Sequence, residues 1–176
     1  MKKTIDAFDY APQICKRLKQ GTVLITTAAN GFVNTMTIGW GKIGVEWKRP
    51  IFIAYVRESR YTKDMLEANG EFTVNIPLGD YDSHILGYCG TKSGRDTDKI
   101  RDLGLTTVAS DVISVPGIRE LPLTLECRVI YKQKQELSAL PDEILERYYP
   151  VVGENEYRDY HIAYYGEIVN AYLITE

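Results

Sequence analysis

Paired cysteines, clustered histidines and long hydrophobic runs are all missing from this chain of 176 residues. Its three cysteines, Cys15, Cys89 and Cys127, are odd in number and far apart, which argues against a disulfide framework and against a zinc site. His84 and His161 are the only histidines, and neither has a neighbour at the spacing of metal ligands. We therefore expect no structural metal.

The excess of negative over positive charge is also small. The formal net charge is −3 and no more than two basic residues are consecutive, so we expect no nucleic-acid partner. No apolar run approaches the length of a membrane-spanning helix, and the N-terminus lacks the apolar core of a signal peptide. These absences predict a soluble, cytoplasmic protein with no membrane partner.

Short β-type segments dominate what is present. β-branched and apolar residues predict strands at residues 22–29, 32–40, 51–56, 71–76, 123–132 and 162–174. Asn30-Gly31 separates the first two strands, and this dipeptide favours the positive φ angles of a two-residue hairpin turn. Gly166 is expected to form a bulge or bend in the last strand.

Four short helices are predicted between these strands, at residues 59–69, 81–86, 96–102 and 141–148. Ser59 is the expected N-cap of the first helix, and Asn69-Gly70 is its expected end. Strands joined by turns and small helices, without regular β-α alternation, favour an antiparallel barrel over a doubly wound sheet. We predict one mainly β domain covering residues 1–176.

Residues 39–44, with the sequence GWGKIG, match the glycine pattern of dinucleotide-binding turns. That turn must open a helix whose N-terminus carries the pyrophosphate. Here aromatic and β-branched residues and Pro50 follow, so no helix can begin there. We interpret the segment as a loop that bends tightly over something flat.

Three other segments carry groups suited to a flat anionic ligand. Residues 57–62 place two arginines and two hydroxyls at a helix start, where anions are favoured, although a solvated loop fits equally well. Residues 34–37 form a strand of small polar side chains that suits the edge of a heterocycle or the outer face of a barrel. Residues 89–99 offer a serine, an arginine and a lysine as anion donors, or form a surface loop with a capped helix.

The order of these segments resembles the flavin-reductase-like family, in particular its flavoredoxin branch. The resemblance covers about residues 21–129. Its motifs are Asn-x-Met-Thr-x-x-Trp at 34–40, Arg-x-x-x-Tyr-Thr at 57–62, Glu-Phe-Thr-Val-Asn-Ile-Pro at 71–77, Ser-Gly-Arg-Asp-x-Asp-Lys at 93–99 and Gly-Leu at 104–105. From about residue 134 the chain fits less well, and neither the 141–150 segment nor the tyrosine-rich tail maps onto the family.

The resemblance implies an FMN-binding split barrel, an antiparallel Greek-key β-barrel with a few short peripheral helices. FMN is expected to bind non-covalently against strand 34–37, with its phosphate near the two arginines. Family members are dimers with the flavin close to the interface, so a homodimer is expected. The residues expected to bind FMN are Asn34, Thr35, Met36, Thr37, Trp40, Arg57, Ser59, Arg60, Tyr61, Thr62, Ser93 and Lys99.

The electron donor stays open at this point. One hypothesis is an NAD(P)H-dependent, FMN-dependent oxidoreductase, with His161 as the candidate catalytic contact to the nicotinamide; a packed or solvated histidine fits equally well. The other is an electron carrier that receives electrons from a redox partner protein. A flavin-free barrel acting as a binding module is a third interpretation. Cys89 has no resolving cysteine nearby, which disfavours a redox thiol.

Overall fold

The computed structural model describes residues 1–153 and 157–175. Its strands are β1 (Lys2–Thr4), β2 (Val23–Ala29), β3 (Phe32–Ile38), β4 (Gly41–Glu46), β5 (Arg49–Arg57), β6 (Glu71–Ile76), β7 (Thr107–Val108), β8 (Gly117–Ile118), β9 (Leu123–Lys134) and β10 (His161–Ile174). Its helices are α1 (Ala11–Lys19), α2 (Tyr61–Asn69), α3 (Ser83–Thr91), α4 (Lys99–Asp102) and α5 (Asp142–Tyr148). No helix in the described part of the chain is long and apolar enough to cross a membrane.

Eight of the strands form one antiparallel sheet in the order β3-β2-β6-β9-β10-β5-β4, with β1 added against β10. Strands β7 and β8 form a separate ribbon. The sheet curls so that β3 comes close to β5, yet these two strands are not paired. The barrel is therefore split along β3, and the predicted mainly β, antiparallel split barrel with short helices is confirmed.

The core fills the inside of the curled sheet. Phe72, Val74 and Ile76 occupy every second position of β6 and are fully buried, as the two-residue period of a strand requires. A second buried cluster lies beneath α3, where Leu86 and Cys89 pack with Leu24 of β2. This cluster fixes α3 beside β3, which matters because the two elements line the same groove.

The strand predictions agree with the structure to within two residues at each end. Asn30 and Gly31 form the predicted turn, with φ angles of 52° and 77°. Gly166 lies where the pairing of β10 with β9 shifts register, as expected for a bulge. Local sequence is sufficient for these elements because strand alternation and turn chemistry are both short-range signals.

The interpretation of residues 39–44 as a loop is wrong. Gly41–Glu46 is strand β4, which pairs along β5 and reverses at Trp47 and Lys48, with φ angles of 51° and 59°. A Cβ on Gly41 would lie only 3.0 Å from the Phe52 ring. Gly41 therefore allows close packing against Phe52 of the neighbouring strand. From the sequence alone, a glycine required for close packing looks the same as a glycine required for a bend.

The assignment of Ser59 as the N-cap of α2 is also wrong. Arg60 occupies the N-cap position and its side chain makes no capping hydrogen bond. The Ser59 hydroxyl donates to the Asp159 carboxylate at 2.6 Å, and the Ser59 amide donates to the same group at 3.0 Å. A partner 100 residues away has replaced the local capping bond. The predicted helix end is right, since Gly70 has a left-handed conformation and closes α2.

Two further helix boundaries differ from the prediction. Helix α3 runs to Thr91, so residues 89–91 are helical and do not belong to the loop expected there. Helix α4 begins only at Lys99, because the Asp98 side chain accepts the amide of Arg101 as an N-cap. Asp96 and Asp98 therefore precede the helix, whereas the predicted range of 96–102 places them in its first turn.

Candidate functional site

A groove follows β3 at the split in the barrel and consists of two cavities. We name the first the aromatic cavity; its volume is about 210 Å³ and its lining residues are Met36, Thr37, Ile38, Gly39, Trp40, Tyr55, Arg57, Arg60, Gly90 and His161. We name the second the polar cavity; its volume is about 190 Å³ and its lining residues are Asn34, Met36, Ser59, Arg60, Tyr61, Thr62, Cys89, Gly90, Lys92, Ser93, Gly94, Arg95 and Lys99. Met36, Arg60 and Gly90 line both, so the cavities adjoin.

All the predicted site residues except Thr35 line this groove. The Thr35 side chain faces away from it, and its hydroxyl oxygen lies 3.1 Å from that of Thr26, its partner residue on β2. Thr35 contributes only its carbonyl oxygen, which accepts a hydrogen bond from Lys99 Nζ at 2.8 Å. The alternation of side chains along β3 separates Thr35 from Asn34 and Met36, which both contact Thr62 on the groove side.

Asn34 carries an unpaired acceptor at the floor of the polar cavity. Its Nδ2 donates to Thr62 Oγ1 at 3.2 Å, whereas its buried Oδ1 has no partner among the described residues. Gly94 packs directly over this amide: a Cβ there would lie 2.7 Å from Asn34 Cγ and 2.9 Å from the Tyr61 ring. A buried acceptor without a donor is costly, so a ligand that donates a hydrogen bond here would stabilise the site.

Cationic groups surround the same cavity. Lys99 is buried, and its Nζ donates to the carbonyl oxygens of Thr35 and Cys89 at 2.8 and 3.1 Å. Burial lowers the pKa of Lys99 from its usual value. An ammonium has three protons, so one remains for a ligand. The Arg60 side chain has no hydrogen-bond partner within residues 1–153 and 157–175, and it lies where the two cavities meet.

Arg57 and Ser59 are already engaged with the connection between β9 and β10. Arg57 donates to the carbonyl oxygens of Asp159 and Tyr148 at 2.6 and 2.9 Å. Both donors of Ser59 are held by the Asp159 carboxylate. Among the predicted residues, Arg60, Ser93 and Lys99 keep donors free towards the polar cavity, whereas both Ser59 donors and two of the five Arg57 N–H donors are engaged.

The β9–β10 connection packs behind two residues that line the aromatic cavity, Trp40 and His161. The Trp40 ring contacts Tyr148 edge-on, with a centroid distance of 5.3 Å, and lies 4.6 Å from the His161 ring. Sequence reasoning missed Tyr55, which lines this cavity, and also Tyr148 and Tyr149, which pack against Trp40 and His161. The available signal was the density of tyrosines near the C-terminus, which also suits ordinary strand packing.

His161 begins β10 and is 7% exposed. Its Nδ1 lies 2.8 Å from the Tyr149 hydroxyl oxygen. Burial lowers the pKa of His161 to about 4, and the nearby positive charges of Arg57 and Arg60 act in the same direction. The imidazole is therefore neutral at pH 7, and it cannot contribute a positive charge to the cavity.

Comparison with protein families gives a match over most of the chain. Residues 15–176 match the family model described as flavin reductase like domain. The motifs that carry the sequence resemblance end at about residue 129. The family match extends further and includes the β9–β10 connection and β10.

Solved structures share the fold. A flavoredoxin from Methanosarcina acetivorans is 27% identical, with a TM-score of 0.62 over 86% of this chain and 67% of that one. An FMN-binding domain of a flavin reductases-like enzyme from Shewanella baltica is 15% identical, with a TM-score of 0.65 over 98% of this chain and 77% of that one.

A curated relative, an uncharacterized protein of Archaeoglobus fulgidus, is 33% identical over 97 residues, which is 55% of this chain and 54% of the relative. The chain spans little more than half the length of the curated relatives that it matches.

Proposed function

Because the chain belongs to the flavin reductase-like domain family, we propose that it binds FMN non-covalently along β3 and acts as an FMN-dependent oxidoreductase. The observation that carries this proposal is the continuity of a cationic polar cavity with an aromatic cavity of similar size. The aromatic cavity suits a flat ring and the polar cavity suits a phosphorylated chain, and the two cavities must adjoin to hold both parts of one molecule.

The residues present fit such a group. Asn34 offers a buried acceptor, without a partner among the described residues, that would suit a hydroxyl of the ribityl chain, and Gly94 keeps the space above it free of a side chain that would collide with Asn34 and Tyr61. Arg60, Ser93 and Lys99 would hold the phosphate through charge-assisted hydrogen bonds. The backbone of residues 37–39 and the rings of Trp40 and Tyr55 would flank the isoalloxazine.

A bound flavin supplies the hydride and electron chemistry, and the protein supplies position and electrostatics. Lys99 and Arg60 orient the anionic end. Trp40, held edge-on by Tyr148, would cover one side of the bound ring. His161 stays neutral there because burial disfavours its charged form, which lowers its pKa.

A small-molecule electron donor such as NAD(P)H is favoured over a redox partner protein by a further cavity beside the groove. Its volume is about 380 Å³, and it shares Gly39, Trp40 and Tyr55 with the aromatic cavity. A second ring that enters from this cavity would pass Trp40 and Tyr55 to meet the proposed flavin beside His161, because hydride transfer needs direct contact between the two rings. A carrier that exchanges electrons with a protein needs no such space.

We also propose a homodimer, with the cytoplasm as its location. Trp47 and Tyr131 are 54% and 44% exposed, and their rings lie within 6.0 Å of each other. Tyr165 extends the group, with its ring centroid 5.0 Å from that of Tyr131. Exposed aromatic clusters of this kind are typical of protein interfaces.

The test is flavin retention followed by reduction. Purified protein is loaded with FMN, desalted and examined by absorbance, with FAD and riboflavin loaded in parallel. NADH or NADPH is then added under nitrogen in a stopped-flow instrument. Retained FMN that bleaches supports the oxidoreductase, whereas retained FMN that does not bleach supports the carrier. Absence of FMN binding in a titration would overturn the proposal.

A further inference from the structure

His161 ends a short chain of hydrogen bonds that reaches back into the β9–β10 connection. Gln135 Oε1 accepts the backbone amide of His161 at 3.2 Å and the hydroxyl of Tyr149 at 2.6 Å. A backbone amide can only donate, so the Gln135 atom that faces it must be the amide oxygen. The orientation of the Gln135 side chain is thereby fixed.

The position of one proton follows from this orientation. At 2.6 Å from an oxygen that can only accept, the Tyr149 hydroxyl must place its proton between the two oxygens. The Tyr149 oxygen then faces His161 Nδ1 with a lone pair at 2.8 Å, so Nδ1 must carry the hydrogen. A neutral imidazole has one ring proton, which leaves Nε2 with a free lone pair.

We propose that Tyr149 and Gln135 are positioning residues that fix His161 in its Nδ1–H tautomer, so that Nε2 serves as a hydrogen-bond acceptor in the aromatic cavity. Nε2 has no hydrogen-bond partner in the described part of the chain, and the histidine lines that cavity. The substrate class that suits this acceptor presents an N–H or O–H group, such as a carboxamide, an amide or a phenol. A group that offers only a carbonyl or carboxylate oxygen would meet a repulsive lone pair.

The charged groups around His161 keep the ring neutral. Burial has the largest effect and opposes a positive charge on the imidazole, Arg57 and Arg60 oppose it as well, and Asp159 alone among these groups favours it. The resulting low pKa means that the tautomer persists across the physiological range. Other contacts hold Tyr149 in place: Arg57 lies over its ring at 5.3 Å, and Arg158 donates to its carbonyl oxygen. Removal of the hydroxyl alone should therefore leave the connection folded.

The assignment is tested by long-range ¹H–¹⁵N spectra of protein labelled with ¹⁵N-histidine. The chain has two histidines, so a His84→Gln variant assigns the signals. We expect a protonated Nδ1 and an unprotonated Nε2 for His161 from pH 5.5 to pH 8. Tyr149→Phe should shift the population towards the Nε2–H form, and Tyr148→Phe, the matched control, should not. A wild-type ring protonated at Nε2, or a Tyr149→Phe spectrum like that of the wild type, would overturn the assignment.

The role as a substrate acceptor rests on the proposed function, but the spectra need no flavin, so the two can fail separately. In FMN-loaded protein, with NADH as the probe, Tyr149→Phe should raise KM about three- to tenfold, the loss expected for one hydrogen bond. The Kd for FMN should stay within about twofold of the wild-type value, since the phosphate contacts lie in the other cavity. An unchanged KM would overturn the acceptor role even if the tautomer is confirmed, and loss of FMN binding in the wild type would instead refute the proposed function.

Discussion

At the scale of single residues, the groove's capacity to bind an anion depends on which of its hydrogen-bond donors are free and which already have a partner within the protein. Sequence patterns predicted Asn34 because it belongs to a strand of small polar side chains, and Arg60 and Lys99 because they are cationic residues near helix starts. They could not show that Ser59 is paired with Asp159, since that contact joins residues 100 positions apart. Long-range pairing of this kind depends on the closed barrel and leaves no local signal.

Arg60 is the side chain on which phosphate affinity should depend most. Arg60→Ala should weaken FMN binding roughly tenfold or more, because a hydrogen bond to a charged group contributes about 1.5–3 kcal/mol. Riboflavin, which lacks the phosphate, should bind with nearly unchanged affinity. Titrations with both flavins measure this difference. Arg101→Ala, an exposed arginine of α4, is the control. Equal losses for both flavins would contradict the phosphate assignment.

Gly94 should be intolerant of even one methyl group. In Gly94→Ala the new Cβ would lie 2.9 Å from the Tyr61 ring and 2.7 Å from Asn34 Cγ, so both side chains must move. We expect FMN affinity to fall while overpacking costs about 1–3 kcal/mol in the free energy of unfolding. Gly87→Ala is the matched control, because the new Cβ would meet no neighbouring residue within 4 Å, and it should retain FMN affinity. Flavin titration and urea unfolding together measure both effects; unchanged FMN affinity in Gly94→Ala would show that the loop adapts.

At the scale of secondary structure, strands were predicted more closely than helix ends. Strand alternation and the Asn30-Gly31 turn are local, so β2 and β3 follow from sequence. Helix α3 extends beyond its predicted end because Leu86 and Cys89 are buried against β2 in the second cluster. Strand β4 was missed because glycines that favour close strand packing also favour turns.

Glu71 links β6, β9 and the loop at Ser114, and it should make the fold sensitive to acid. Burial alone would raise the pKa of Glu71, but hydrogen bonds from Ser114 and Arg128 outweigh burial and hold that pKa below its ordinary value. The ionised form is therefore favoured by folding, and its contribution is lost as the pH falls through the folded-state pKa.

Urea unfolding at several pH values measures this contribution. Glu71→Gln should lower the free energy of unfolding by about 1–2 kcal/mol at pH 7, and the difference from the wild type should shrink towards pH 3. Glu143→Gln, at an exposed position on α5, controls for the loss of one charge. A difference that is independent of pH would show that the Glu71 carboxylate is not the group responsible.

At the scale of the whole molecule, the exposed aromatic cluster of Trp47, Tyr131 and Tyr165 sets the expected assembly. Sedimentation at micromolar concentration should show a dimer, and a Trp47→Glu, Tyr131→Glu double variant should sediment as a monomer, because buried carboxylates in the interface are costly. Ile144→Glu, which changes an exposed apolar residue on α5, should remain dimeric. A monomeric wild-type protein would exclude the homodimer.

The residues around the groove come from different kinds of structural element, and this affects how the groove can change during evolution. The polar cavity is lined by β3, the start of α2, the end of α3 and the segment before α4. Tyr148 and Tyr149, which pack against Trp40 and His161, come from a single connection between neighbouring strands. Connections tolerate insertion and substitution better than the elements they join. A descendant can therefore exchange that connection, and with it the side chains that pack against Trp40 and His161, while it keeps the residues of the polar cavity.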